Sequence, residues 1–231
     1  MMAKGSRPLL RPPLTNEELE NITADELVRL KLTEDEKSRL REINQRRERE
    51  RAERLVRLQA EQRPIVKELA EVGIEVGSLS DLIMRRVPYP TAIPVLLRHL
   101  VRPYSDVTRE TIARSLAVPE PEVQKAWPIL VEEYRKAQMG RGIVAPGDTK
   151  DYPLHAKDGL AVALSATVTD ATVNELIALA KNPSLGGSRV LLLRGIRKSR
   201  NPAAKQAIEE LASDPALAKE IASWRKGRRA K

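Results

Sequence analysis

The chain has 231 residues, 41% of them hydrophobic, which supports one sizeable core with an appendage and argues against full disorder. Cysteine is absent and the two histidines, His99 and His155, lie far apart, so no disulfide framework, metal centre or cofactor is expected. Lys and Arg number 41 against 32 Asp and Glu, a formal net charge of +9 that favours an acidic partner without choosing among nucleic acid, an anionic membrane and an acidic protein.

Aromatic residues make up only 3% and Phe is absent, so the core must be built from Leu, Ile, Val and Ala. Such side chains suit helices packed closely on one another, and the expected fold class is all-α. Pro12 and Pro13 stand where a signal peptide needs a continuous apolar run, and no later segment approaches about 18 uncharged apolar residues. The expectation is a soluble cytoplasmic protein with no membrane insertion.

Residues 1–14 are basic, proline-bearing and patternless, and read as a disordered leader. Three capping signatures follow: Thr15 with Glu18, Thr23 with Glu26 and Thr33 with Glu36. In each, the Thr hydroxyl accepts from a first-turn amide while the Glu reaches back to the Thr amide, which predicts two short helices and the start of a long one. The long helix is predicted from about Glu34 to about Gln62, a stretch rich in Arg and Glu with no internal Gly or Pro. Glu42 with Arg46, Glu50 with Arg54 and Glu53 with Arg57 are i,i+4 pairs that support it. Leu40 and Ile43 begin a heptad seam that meets Arg47, Glu50 and Arg54 before Leu55 and Leu58 resume it. Residues 15–63 thus read as capped short helices and a long charged helix, and for the long helix three readings stand: a solvated charged helix, a coiled coil that makes a homo-oligomer, or a helix ordered by a partner.

Pro64 is predicted to kink or restart the helix, since it lacks an N–H and crowds the preceding turn. Ile65, Val66, Leu69 and Val72 then form an apolar face, Gly73 and Gly77 end it, and a short element opens at Ser80. A helical repeat domain is expected over residues 64–225, its first unit beginning between Pro64 and Pro90. An apolar stretch, a turn and a second stretch opened by a basic residue recur there. The pairs are residues 92–100 with 109–116, 127–134 with 157–164, and 173–180 with 189–196. The basic residues Arg109, Lys157 and Arg189 lie 48 and then 32 residues apart, each seven residues before Leu116, Leu164 or Ile196. That period belongs to a helix-pair repeat, lengthened once by an insertion. Residues 201–224 supply a last, shorter pair around Ile208, Leu211, Leu217 and Ile221.

This pattern resembles the HEAT-repeat family. Pro94-Val95-Leu96 in a first helix and residues 109–116 in the second match best, Pro128-Ile129-Leu130 matches the next first helix, and the third pair lacks the proline. The usual turn aspartate is not at its place in the first pair, where Asp106 substitutes. The resemblance covers residues 90–225 and implies a short right-handed α-solenoid that presents a concave surface to protein partners, sometimes to nucleic acid. It also implies a ladder of Arg109, Lys157 and Arg189, serving either as braces between repeats or as a ligand-binding row.

Candidate contact residues lie where the repeat is broken. The insertion at 137–153 carries glycines and prolines that forbid a continuous helix, and Met139, Arg141, Ile143, Val144 and Tyr152 are its partner-binding candidates. The alternative is an excursion that packs on its own domain. Residues 182–189 resemble an anion-binding turn but lack the Gly-Lys-Ser/Thr ending of a nucleotide loop, so a helix connection with Ser188 as N-cap is expected. Arg197, Lys198 and Arg200, with Arg225, Lys226, Arg228, Arg229 and Lys231 around the basic tail at 226–231, are nucleic-acid candidates or a solubilising end.

For catalysis the chain offers no Cys nucleophile, no Ser-His-Asp arrangement and no evident carboxylate pair. The function expected is a non-enzymatic adaptor that binds a protein partner through the repeat domain and the charged N-terminal helix. A nucleic-acid-binding protein using the basic end and the Arg-rich helix is the alternative.

Overall fold

The three Thr/Glu signatures open three helices in the computed structural model, which describes residues 11–85 and 87–229, with side chains as far as Trp224. They are α1 (Asn16–Asn21), α2 (Ala24–Arg29) and α3 (Glu34–Glu71). Thr15 and Thr23 each accept from the amide three residues on, and Glu18 and Glu26 accept in return from the Thr amides. At α3 the Thr33 amide donates to Glu36 at 2.8 Å and the Glu36 amide donates to Thr33 Oγ1 at 3.1 Å. The next elements are α4 (Ser80–Met84), α5 (Ile93–Leu100), α6 (Asp106–Ser115), α7 (Pro121–Lys125) and α8 (Trp127–Lys136). A two-residue pair, β1 (Arg141–Gly142) and β2 (Tyr152–Pro153), precedes α9 (Ala156–Thr167), α10 (Val173–Lys181), α11 (Arg189–Lys198), α12 (Pro202–Leu211) and α13 (Pro215–Arg229). The fold class is all-α. Among the described residues no helix is long and apolar enough to cross a membrane.

The chain divides into two compact units, Met1–Leu55 and Val56–Lys231, with α3 running through the division. In the first unit, Leu19 of α1 and Ile43 of α3 are buried, and Arg39 and Arg47 bind carbonyl oxygens at Leu14 and Glu20. The last part of the expected leader is fastened here: Arg11 donates twice to Glu36, each at 2.9 Å, and the Leu14 amide adds a third bond at 2.8 Å. Residues 1–10 lie outside the described residues.

Pro64 neither ends nor restarts the long helix, which continues to Glu71. Losing one backbone bond at a proline costs about 3 kcal/mol, and what lies on either side offsets it. Ile65 and Leu69 are fully buried in the core of the second unit. Glu61 accepts from the Ser105 amide at 2.9 Å and from the hydroxyls of Ser105 and Thr108, anchoring the turn just before the proline.

Each sequence pair becomes a helix pair: α5 with α6, α8 with α9, α10 with α11, and α12 with α13. The second helices also pack in chain order, α6 on α9, α9 on α11 and α11 on α13. Two glycines permit this closeness. A Cβ at Gly159 of α9 would stand 2.8 Å from the Glu110 carbonyl oxygen of α6, and one at Gly195 of α11 would stand 2.9 Å from the Ser165 backbone of α9. The core they enclose is aliphatic, with Leu96, Leu116, Leu130, Leu160, Leu164, Leu192 and Ile196 all without solvent exposure.

Candidate interaction surface

The recurring cations at the second-helix starts are spent inside the fold. Arg109 pairs with Glu133 of α8 at 2.6 Å. Lys157 is buried, donates to the Ala137 carbonyl at 3.1 Å and lies 5.1 Å over the Tyr134 ring. That burial lowers its pKa from the ordinary lysine value. Arg189 donates to the carbonyls of Gly186 and Ala180 at 3.1 and 2.9 Å and pairs with Asp214 at 2.7 Å, joining α11 to the end of α10 and the start of α13. Of the two roles the resemblance implies for this ladder, the bracing one matches these contacts.

Carboxylates complete the bracing. Asp106 accepts from the His155 and Ala156 amides at 2.7 and 3.0 Å, so a residue of α6 caps α9, the neighbour it packs on. Asp214 caps α13 through the Ala216 amide at 2.9 Å. Ser188 stands at the N-cap position of α11, as expected, but its side chain caps no amide of that helix. Its backbone is already helical, and its hydroxyl bonds the Leu185 carbonyl and the Tyr134 hydroxyl at 3.2 and 3.0 Å. A cross-helix partner, Tyr134 of α8, thus shares the hydroxyl that local geometry assigns to a cap.

Both histidines are engaged. His99 of α5 is buried, with Nδ1 2.7 Å from the Tyr104 hydroxyl and Nε2 3.1 Å from Glu68. Desolvation lowers its pKa against the pull of Glu68. His155 is raised by its hydrogen bond to Asp158, at 3.0 Å from Nδ1.

The insertion at 137–153 folds into the β1–β2 pair, with Arg141 opposite Pro153 and Gly142 opposite Tyr152. It is fastened to its own unit: the Val107 amide donates to the Val144 carbonyl at 3.1 Å, and Arg57 binds the Pro146 carbonyl and Asp148. Val144 is only 5% exposed, so its side chain is core and offers nothing to a partner. Met139 and Ile143, at 48% and 51%, do stand on the surface. Arg141 is exposed and donates to the Asp151 carbonyl, while Tyr152 is half-buried. The five candidates therefore separate into a buried anchor and a small exposed hairpin.

At the basic end, Arg197, Lys198 and Arg200 are exposed, and the Arg197 guanidinium lies 4.6 Å over the Trp224 ring. The side chains of Arg225, Lys226, Arg228 and Arg229, and all of Lys231, lie outside the described residues.

The feature that sequence reasoning missed is a groove of about 540 Å³ crossing the second helices. Its floor takes Ala117 from just past α6, Val162 and Ala166 from α9, and Val190 and Leu191 from α11, with Arg194 and Lys198 along the α11 wall and Glu220 of α13 at the rim. Two further depressions, of about 420 and 340 Å³, share Ala117, Pro119 and Val162 at one end and Ser165, Ala166 and Lys198 at the other, so the surface continues in both directions. Val162, Ala166, Val190 and Leu191 are half-buried, a state that a helical period does not separate from full burial.

No protein family, curated protein or solved structure matches this chain. An aliphatic floor edged by cations favours apolar burial steered by charge, and among the described residues no group of three or more His, Asp or Glu is gathered to hold a metal ion.

Proposed function

We propose that the chain is a non-enzymatic adaptor of the HEAT-like α-solenoid kind, right-handed, holding a protein partner in the groove across α6, α9 and α11. The observation that carries this is the half-buried aliphatic floor of that groove, formed by Ala117, Val162, Ala166, Val190 and Leu191. Aliphatic surface shared among several packed helices is what a partner buries on association. The pairing of α5 with α6, α8 with α9 and α10 with α11, and the side-by-side order of the second helices, support the repeat reading. The charged part of α3 at 46–54, with exposed Leu55 and Val56 beyond it, supports a second contact arm. The absence of cysteine is compatible with a reducing, cytoplasmic setting.

The test compares partner capture from native lysate by three forms of the full chain: unaltered, Val162→Glu with Leu191→Glu, and Met139→Ser with Ile143→Ser on the hairpin. Each form is first checked for unchanged helical circular dichroism. A partner retained by the first and third and lost from the second is expected. Capture that survives the groove substitutions and fails with the hairpin ones would move the site to the insertion and end this reading.

A further inference from the structure

Val190, Leu191, Arg194 and Lys198 lie along one wall of the groove, so α11 passes from aliphatic to cationic within about two turns. Residues 168–170, just past α9, and 198–200, at and just past the end of α11, line one depression, so the C-terminal ends of the two helices lie side by side and the cations there, Lys198 and Arg200, come from the α11 end alone. Among the described residues, Arg194, Lys198 and Arg200 reach no carboxylate, whereas Glu220 accepts from Trp224 Nε1 at 2.9 Å and Asp170 from the Ser199 hydroxyl at 3.5 Å; the remaining carboxylate, Glu120, lines the depression at the opposite, α6 end. Lys198 in the last turn also complements the α11 carbonyls; Arg194, a turn earlier, has no such duty. At the meeting of the two depressions Ser165 is buried, and its hydroxyl finds no hydrogen-bond partner among the described residues.

Three uncompensated cations and one unmatched hydroxyl beside an aliphatic floor describe the complement of the missing occupant. Resting on the adaptor reading above, we propose that this occupant is an acidic, leucine- or valine-bearing segment of a partner protein. Its apolar side chains sit on Val162, Val190 and Leu191, and its carboxylates meet Arg194, Lys198 and Arg200. With packed helices about 8–10 Å apart, the stretch from α6 to α11 is about 20 Å, matching roughly six extended residues. A nucleic-acid strand fits less well, since bases need exposed aromatic faces and the Trp224 ring already carries Arg197.

Fluorescence anisotropy on the full chain tests this with three probes: a short peptide alternating Leu and Glu, its Leu and Lys counterpart, and a single-stranded oligonucleotide of the same charge as the first. The acidic peptide is expected to bind and the basic one not. The triple variant Arg194→Glu, Lys198→Glu, Arg200→Glu is expected to weaken the acidic peptide at least about tenfold and to gain the basic one. These are exposed positions, so unchanged circular dichroism separates lost binding from lost folding. If neither peptide binds, if both bind equally, or if the oligonucleotide binds more tightly than the acidic peptide, the proposal is overturned. The adaptor reading fails separately, on whether the groove substitutions Val162→Glu and Leu191→Glu abolish partner capture.

Discussion

Glu36 gathers the Arg11 guanidinium and the amides of Leu14 and Thr33 onto one fully buried carboxylate, and the Arg11 bond, ahead of the two amides, brings its pKa down from 4.5 to about 2. A depressed carboxylate stabilises the fold fully above its ordinary value, and that contribution is lost as pH falls from 4.5 through about 2. The first unit should therefore loosen over this acid range. In Glu36→Gln the same loosening should be present at neutral pH, with amide exchange around residues 14–36 faster by about tenfold or more. Exchange unchanged by the substitution would show that the carboxylate does not hold the unit. The capping role of Glu36 was legible from its distance to Thr33. Its pairing with Arg11 was not, because 25 residues of chain separate them and no local period links the two. The cations of the ladder were likewise legible as positions, and their targets became visible only when the ends of α8 and α10 arrived beside them.

Helix spacing in the second unit depends on Gly159 and Gly195, whose missing side chains let three second helices approach at backbone distance. Replacing a helical glycine by alanine ordinarily gains up to about 1 kcal/mol. At Gly195 the new methyl would instead meet the Ser165 backbone and a Leu176 methyl, each at 2.9 Å, and overpacking of this kind costs about 1–3 kcal/mol. Gly195→Ala should lower the thermal midpoint of the second unit. Gly187→Ala meets nothing within 4 Å and should leave it unchanged or raise it slightly. Equal effects from the two substitutions would remove the close-approach argument. The sequence places Gly187 in a turn and Gly195 in a helix, but it does not show what faces Gly195, and the cost of a methyl there lies in that neighbour. The same holds for Pro64, where the local rule predicts a kink or a restart, and the burial of Ile65 and Leu69 holds the helix on past the proline to Glu71.

The two compact units differ in what sustains them. Around the middle of α3, past the anchoring of Arg46 and Arg47 on Glu20, the residues at 48–54 are mostly exposed and charged, so helix there rests on its own backbone bonds and on local pairs worth a few tenths of a kcal/mol each. The second helices α6, α9 and α11 have buried faces packed on one another. Within α3 hydrogen exchange should accordingly be fastest at residues 48–54, and across the second unit slowest in α9, which is packed on both sides. Uniform protection along α3 would contradict this. The groove belongs to this same scale, since its floor takes residues from three helices separated by loops and by the 137–153 insertion.

By itself the sequence determined the helical class, the three capped starts, the pairing of apolar stretches and the places of the ladder cations. All of these follow from hydrogen bonds and periodicities that act within a few residues. Only the tertiary structure decided that Val144 is core while Ile143 is surface, that Ser188 serves Tyr134 rather than its own helix, and that Val162, Val190 and Leu191 share one half-covered floor. Burial is a property of neighbours brought from far along the chain, and a helical period specifies a face without specifying how completely another helix covers it.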